Sequence, residues 1–266
     1  MDLMSRTLLI DADVVAYEAA FSNEQAFEFE PGWWTWQVKW DDVLESFDAT
    51  VQTMMDTLQA DDFKLCLTDS EGNFRFGIHR DYKGGRKSVR KPIILKHFKQ
   101  FLIDERKAFF KPGLEGDDCM GILATHPKLI PGEKIIVSID KDMRTIPGKF
   151  IRWGTEEGCV IEEISPSRAF YNHMKQTLTG DTTDGYKGLP GCGPKKAETI
   201  LNMDPSESPD LSPETAGIVW RSVVAAYEKA GLTEDDAVVQ ARMAKILDAK
   251  HYDFKAQREI LWNPPS

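Results

Sequence analysis

Apolar residues in this chain gather into short unbroken runs and into helical stripes, and three of the runs end alike. Leu8-Leu9-Ile10 leads into Asp11, Leu65-Cys66-Leu67-Thr68 into Asp69, and Ile135-Ile136-Val137-Ser138-Ile139 into Asp140. Runs of this length without polar alternation suit strands buried on both faces, as in a parallel sheet. Elsewhere the period is that of a helix. Val43, Leu44, Phe47, Val51, Met54, Met55 and Leu58 share one stripe of a helix capped by Asp41, and Ile94, Leu95, Phe98, Phe101 and Leu102 share another from Pro92 through Phe109. Further helices are predicted over roughly Val14 to Phe21, Cys119 to Ala124 and Ser167 to Leu178, with short strands at Lys149 to Trp153 and Cys159 to Ile164. The alternation predicts an α/β fold with a central, mostly parallel twisted sheet flanked by helices.

From Asp181 the chain reads as helical, including Pro213 to Ala230 and Glu234 to Ala249, with Thr233-Glu234-Asp235-Asp236 as a capping turn. The expected organisation is an α/β domain over residues 1–180 and a helical region over 181–266. One segment alternates with period two: Phe27-Glu28-Phe29-Glu30, a Pro31-Gly32 turn, then Trp33 to Trp40, a β-hairpin holding four of the seven tryptophans. An aromatic ribbon of this kind is expected to cover a core, with base stacking as its functional alternative.

A length of 266 residues with 41% apolar content allows a sizeable core. The four cysteines form no C-x-x-C pair, which argues against zinc and against a disulfide framework. No stretch approaches the roughly 18 apolar residues that span a bilayer, so a soluble, cytoplasmic protein without a membrane partner is expected. The net charge of −10 argues superficially against a polyanionic partner, but the charge is unevenly spread. His79 to Lys111 carries eleven Lys and Arg against three acids, a segment of +8 that leaves −18 for the rest. A basic element beside acids suits a polyanion steered to bound cations.

The acids matter because of where a parallel sheet would take them. Strand carboxyl ends share one edge, so Asp11, Asp69 and Asp140 would converge there, joined by Asp142, by Glu115, Asp117 and Asp118 at a loop-to-helix junction, and by Asp181 and Asp184, three residues apart. So many carboxylates in one cleft repel one another, and hard divalent cations relieve them. A two-metal phosphoryl-transfer site is the first reading. Separately, Leu189-Pro190-Gly191-Cys192-Gly193-Pro194-Lys195-Lys196-Ala197 places two glycines before a helix start. That arrangement grips a sugar-phosphate backbone through backbone amides, helped by Lys195 and Lys196.

In identity and order, Asp11, Asp69, Tyr82-Lys83-Gly84-Gly85-Arg86, Glu115-Gly116-Asp117-Asp118, Ser138-Ile139-Asp140-Lys141-Asp142, Gly180-Asp181-Thr182-Thr183-Asp184 and Gly188 to Ala197 resemble the flap endonuclease and 5′-nuclease superfamily. Within it, they are most similar to the 5′-to-3′ exonucleases of short-tailed phages. The resemblance implies a PIN-like nuclease fold, a helical gateway over residues 79–111, and a helix-hairpin-helix at 186–201 that holds a potassium ion. It implies two magnesium (or manganese) ions, one served by Asp11, Asp69, Glu115, Asp117 and Asp118 and the other by Asp140, Asp142, Asp181 and Asp184. Lys83 and Arg86 would contact the scissile phosphate. Tyr82, Lys83, Arg86, Lys87, Arg90 and Lys91, with Gly191, Gly193, Lys195 and Lys196, would bind DNA. Asp13 has no counterpart and is expected at the surface or as a cap.

The expected activity is a metal-dependent 5′-to-3′ exonuclease or structure-specific 5′-nuclease. Its substrate would be duplex DNA with 5′ ends or flaps, or RNA primers in RNA-DNA hybrids, cut by a monomer in the host cytoplasm. Asp140-Lys141-Asp142-Met143-Arg144-Thr145 also has the D-x-D-x-x-T shape of aspartyl-phosphate phosphatases, with Asp11-Ala12-Asp13 a weaker copy. That alternative leaves the basic segment and the glycine hairpin without a role. A catalytically inactive DNA-binding module would be expected to lack acids that are all present. The five histidines are widely separated and are expected to be surface or structural.

Overall fold

The computed structural model describes residues 5–84, 90–154, 159–206 and 209–265. Its centre is a five-stranded sheet in the order β4-β1-β5-β6-β7, formed by Arg6–Asp11 (β1), Asp62–Cys66 (β4), Glu133–Ser138 (β5), Gly148–Arg152 (β6) and Glu162–Ile164 (β7). All neighbours run parallel except β7, which pairs antiparallel with β6. The apolar runs divide between two faces by strand alternation. Leu8, Ile10, Leu65, Ile135, Val137 and Ile151 point into one core, and Leu9, Ile136 and Phe150 into the other.

The first face is covered by Ala12–Ser22 (α1), Trp40–Leu58 (α2) and Leu95–Asp104 (α4), and the second chiefly by Gly116–Thr125 (α5). Arg75–Ile78 (α3) is a single turn beside the cleft. A third core belongs to Pro166–Thr179 (α6), Pro194–Leu201 (α7), Pro213–Lys229 (α8) and Glu234–Ala244 (α9). No helix among the described residues is long and apolar enough to cross a membrane.

Several elements differ from expectation for identifiable reasons. Helix α2 starts at Trp40 with Lys39 at its N-cap and no side-chain cap, so Asp41 lies inside the first turn. The basic helix α4 is shorter than Pro92–Phe109 because the chain turns at Lys107 (φ 54°) and lays Phe109 alongside β4. Its Leu95, Phe98 and Leu102 are buried against the sheet. The last helix stops at Ala244 rather than Ala249, and the carbonyls of Met243 and Lys245 accept from the Arg75 guanidinium instead. The Thr233 capping box with Asp236 forms as the acidic turn suggested.

The hairpin of Gln25–Glu30 (β2) and Trp33–Gln37 (β3) forms, but it covers no core: both strands are exposed throughout, with Trp33 and Trp34 more than 60% accessible. Only Trp40 packs inward, edge-on to Phe98 and Phe101.

His173 is buried in the helical core, 2.8 Å from the Ala241 carbonyl and edge-on to Trp262. Burial, with the Lys245 ammonium nearby, drives its pKa down to about 3. Because the unfolded chain takes up this proton near pH 6.5 and the folded one does not, stability is whole above pH 6.5 and is lost as pH falls below it. Denaturant melts are expected to show about 1.5 kcal/mol lost between pH 6.5 and 5. His173→Gln should abolish most of that slope.

Candidate active site

The carboxyl ends of β1 and β5, the N-terminus of α5 and the loop after α6 enclose a cleft of about 410 Å3 lined by Asp11, Asp13, Glu115, Asp117, Asp140, Asp142, Asp181 and Asp184. Sequence adjacency explains the first wall. Strand β1 passes directly into α1, so Asp11 is both the last strand residue and the helix N-cap. The first turn of that helix keeps Asp13 at the same edge. Its carboxylate accepts from Thr68 N at 2.8 Å and pairs with Lys99 Nζ at 2.6 Å.

Ser138 joins the two strand ends: its hydroxyl donates to Asp11 Oδ2 at 2.9 Å and accepts from Asp140 N at 3.1 Å. Asp140 then caps the short 3-10 turn Lys141–Thr145 through Asp142 N, which aims the Asp142 side chain at the cleft.

Asp181 and Asp184 do not share a helical turn. They sit on a loop closed by reciprocal bonds between Asp181 and Tyr186, with Asp181 Oδ1 accepting from Thr183 N and Asp184 N. The loop is locked at its base by Gly180 and Gly188, both in the left-handed region. A Cβ on either would lie 2.3 Å from the other strand of the turn.

The opposite wall is held by cations. Lys83 Nζ contacts Glu115 Oε1 at 2.5 Å and Asp184 Oδ2 at 3.7 Å. The buried Tyr82 hydroxyl bonds Glu115 Oε2 at 2.8 Å and Asp184 Oδ2 at 3.1 Å. Beneath them Arg75, 2% exposed, forks onto both oxygens of Asp118 at 2.8 and 2.9 Å and reaches Glu115 at 3.2 Å.

The electrostatics split the acids into two kinds. Burial would raise the Glu115 carboxyl, but the Arg75 guanidinium and the Lys83 ammonium outweigh it and hold the group below its ordinary range. On the other side burial dominates. With Asp13 beside it, burial pushes Asp11 up to about 7. Burial with Asp11 and Asp140 nearby raises Asp117 strongly, and burial with Asp140 and Asp181 lifts Asp142 to about 6. The ammonium groups of Lys83, near Asp117, and Lys141, near Asp142, offset this only in part.

No protein-family model matches the chain. The exonuclease of Escherichia phage T7 is 31% identical to it, over 97% of this chain and 93% of its own length. The chain belongs to the 5′-nuclease superfamily, near the phage exonucleases. The exodeoxyribonuclease of Enterobacteria phage T3 is 30% identical with the same coverage. Flap endonuclease Xni of Shewanella halifaxensis is 31% identical over 49% of this chain and 55% of its own. The bacteriophage T5 D15 flap endonuclease, solved as a pseudo-enzyme-product complex with DNA and metal ions, superposes with a TM-score of 0.53 at 15% identity, covering 90% of this chain and 99% of that one. A T5 5′-exonuclease with bound zinc gives the same score over 97% of its length. At that identity the two structures show a shared fold. The protein is thus a nuclease and a hydrolase.

Within this 5′-nuclease, seven of the nine sequence-marked acids line one cleft and two do not. Asp69 follows β4 by three residues, and its carboxylate is spent on Glu71 N and Gly113 N, holding the loop that leads to α5. Asp118 is fully buried: both oxygens take Arg75, and they also accept Glu115 N and Leu247 N. Neither oxygen pair faces the cleft.

Tyr82, expected on the DNA surface, is 2% exposed and positions Glu115 instead. Arg90 pairs with Glu24 at 2.6 Å and stacks 4.0 Å over the Trp36 ring, while Lys91 is exposed. Gly191, Gly193, Lys195 and Lys196 lie at the exposed start of α7, which begins after Gly193 as the motif implied. Arg86 and Lys87 lie outside the described residues.

Sequence reading of the nuclease missed Asp13, Ser138, Lys99 and Arg75 as site residues. Asp13 was findable, since a helix beginning right at a strand-end Asp keeps its first turn at the same edge. Arg75 carries no local signal.

Proposed function

We propose that this nuclease removes nucleotides from the 5′ ends or flaps of duplex DNA in a reaction that depends on two divalent cations of the magnesium type, with RNA-DNA hybrids as a second substrate and a monomer as the working form. The observation that carries the reading is the split in the cleft: Glu115 is charge-compensated by the protein, whereas Asp11, Asp117 and Asp142 are held out of their ordinary range by burial and by neighbouring acids of the same cleft.

Among the described residues no three His, Cys, Asp or Glu side chains form a ready-made cage. The donor set nevertheless fits hard cations, because it is all oxygen, densely negative and open to solvent. Asp11, Asp13, Glu115 and Asp117 would hold one ion, and Asp140, Asp142, Asp181 and Asp184 the other. When bound, such ions lower the pKa of water and neutralise charge on a phosphoryl group.

The protein's own residues have defined tasks in this scheme. Ser138 keeps Asp11 and Asp140 at a fixed spacing through its two hydrogen bonds. Tyr82 and Arg75 orient Glu115 from below. Lys83, with its backbone tied to Asp184 O at 2.9 Å, offers an ammonium that can pass from Glu115 to a phosphate oxygen in the cleft. The exposed hairpin before α7 would hold the duplex backbone through its amides, with a potassium ion as the resemblance implies.

Purified protein stripped with chelator and given back magnesium should shorten a 5′-recessed duplex from its 5′ end and release no phenol from an aryl phosphate. A labelled-end product ladder reads the polarity. Intact DNA after restoration would overturn the proposal.

A further inference from the structure

A second cavity of about 390 Å3 lies against the first, and the two share Lys141, Asp142 and Asp181 as a common wall. Its long side is α6, and helix geometry dictates what that side presents. Asn172, Lys175, Gln176 and Thr179 recur at three- and four-residue spacing and form one half-buried stripe, while Tyr171, His173, Met174, Thr177 and Leu178 fill the core behind them. The facing side is the 3-10 turn carrying Lys141 and Arg144, and the far end is Pro194, the first residue of α7.

Some of these groups are already committed to the protein. Arg144 grips Glu162, Asn172 donates to the Arg144 carbonyl at 2.8 Å, and Lys175 pairs with Glu198 at 2.7 Å. Those contacts brace the walls. Two donors are left over. The Lys141 ammonium and the Gln176 amide have no hydrogen bond or ion pair among the described residues, although both line the groove. At its far end the N-cap of α7 is Gly193, which offers no side-chain cap, so the first N–H groups of the helix lack a side-chain acceptor.

We infer that this groove holds the phosphodiester backbone next to the scissile linkage, with Lys141 and Gln176 contacting a single phosphate as the strand passes from the cleft toward the start of α7. This rests on the proposed function and names a subsite for it. Three features select backbone over other occupants. No aromatic ring lines the groove, so bases have nothing to stack on. Nine of its eleven lining residues carry polar or charged side chains, unlike the hydrophobic and aromatic walls of a small-molecule pocket. Its free donors suit phosphate oxygens, which fix the position of a strand without reading its sequence. Lys141 sits between two cleft acids in sequence, so any strand whose phosphate it holds is registered against them. It is a positioning residue, as is Gln176.

The test compares wild type, Lys141→Ala, Gln176→Ala and the double variant on duplexes in which one phosphate at a time, from one to four linkages away from the cleavage point, is replaced by an uncharged methylphosphonate. Binding is measured by anisotropy in chelator across a salt series, and cleavage by initial rates with magnesium. Wild type should lose roughly five- to tenfold in affinity at one linkage only. Lys141→Ala should show that loss on native DNA, be insensitive to the substitution there, and have a salt slope shallower by about one phosphate contact, ~0.9. KM should rise by more than kcat falls. Unaltered binding and slope in the double variant, or a methylphosphonate penalty that persists in Lys141→Ala, overturns the subsite while wild type still cuts DNA. Failure of wild type to cut at all overturns the parent proposal and the subsite together.

Discussion

Asp117→Asn is expected to reduce turnover about 10³-fold or more while making the metal-free protein more stable. Asp117 occupies the first turn of α5 and lines the cleft together with Asp140. Burial, then repulsion from Asp11, Asp140 and Glu115, raises its carboxyl well above the ordinary value. A carboxylate in that condition opposes folding at any pH above its unfolded value near 4, because the folded site keeps a proton that the unfolded chain would release. The amide removes this opposition, so urea melts at pH 7.5 without divalent ions should show a gain on the order of 1 kcal/mol. Added magnesium should stabilise the wild type and leave the variant behind. A variant that keeps a tenth of wild-type turnover would remove Asp117 from the reacting centre.

The second large effect is structural. Arg75→Met is expected to cost about 3–5 kcal/mol, because it strands Asp118 with no countercharge in a fully buried position. Arg75→Lys should recover little, since an ammonium cannot span both Asp118 oxygens and the carbonyls of Met243 and Lys245 together. Pairing Arg75→Met with Asp118→Asn should return much of the loss, as the amide oxygen still accepts from Leu247 N and carries no charge. Denaturation midpoints of the four proteins check this. Equal losses in the single and double variants would show that packing, rather than the unpaired carboxylate, sets the cost.

Asp118 also shows where sequence reading stops. The three-residue spacing from Glu115 to Asp118 was legible as a helix start, and the capping box is formed. What separates a cleft-facing acid from a buried partner is a guanidinium 43 positions away, and no local pattern announces it. Asp11 and Asp140 were readable because a strand's end fixes both place and direction. Asp69 lies off the cleft lining for a related reason: β4 ends at Cys66, and the three residues after it turn the side chain toward the loop at Gly113. Alternation marked the tryptophan hairpin correctly but carried no information about its neighbours, and so could not say that both faces are open to solvent.

The same dispersal of parts sets when the enzyme can first act. Ser138 reaches back 127 positions to Asp11, and Arg75 is anchored to a carbonyl 170 positions later. Such long-range closures form late in folding. A chain still on the ribosome therefore carries almost every acid of the cleft without an assembled site, which closes only when the last helices are released and dock.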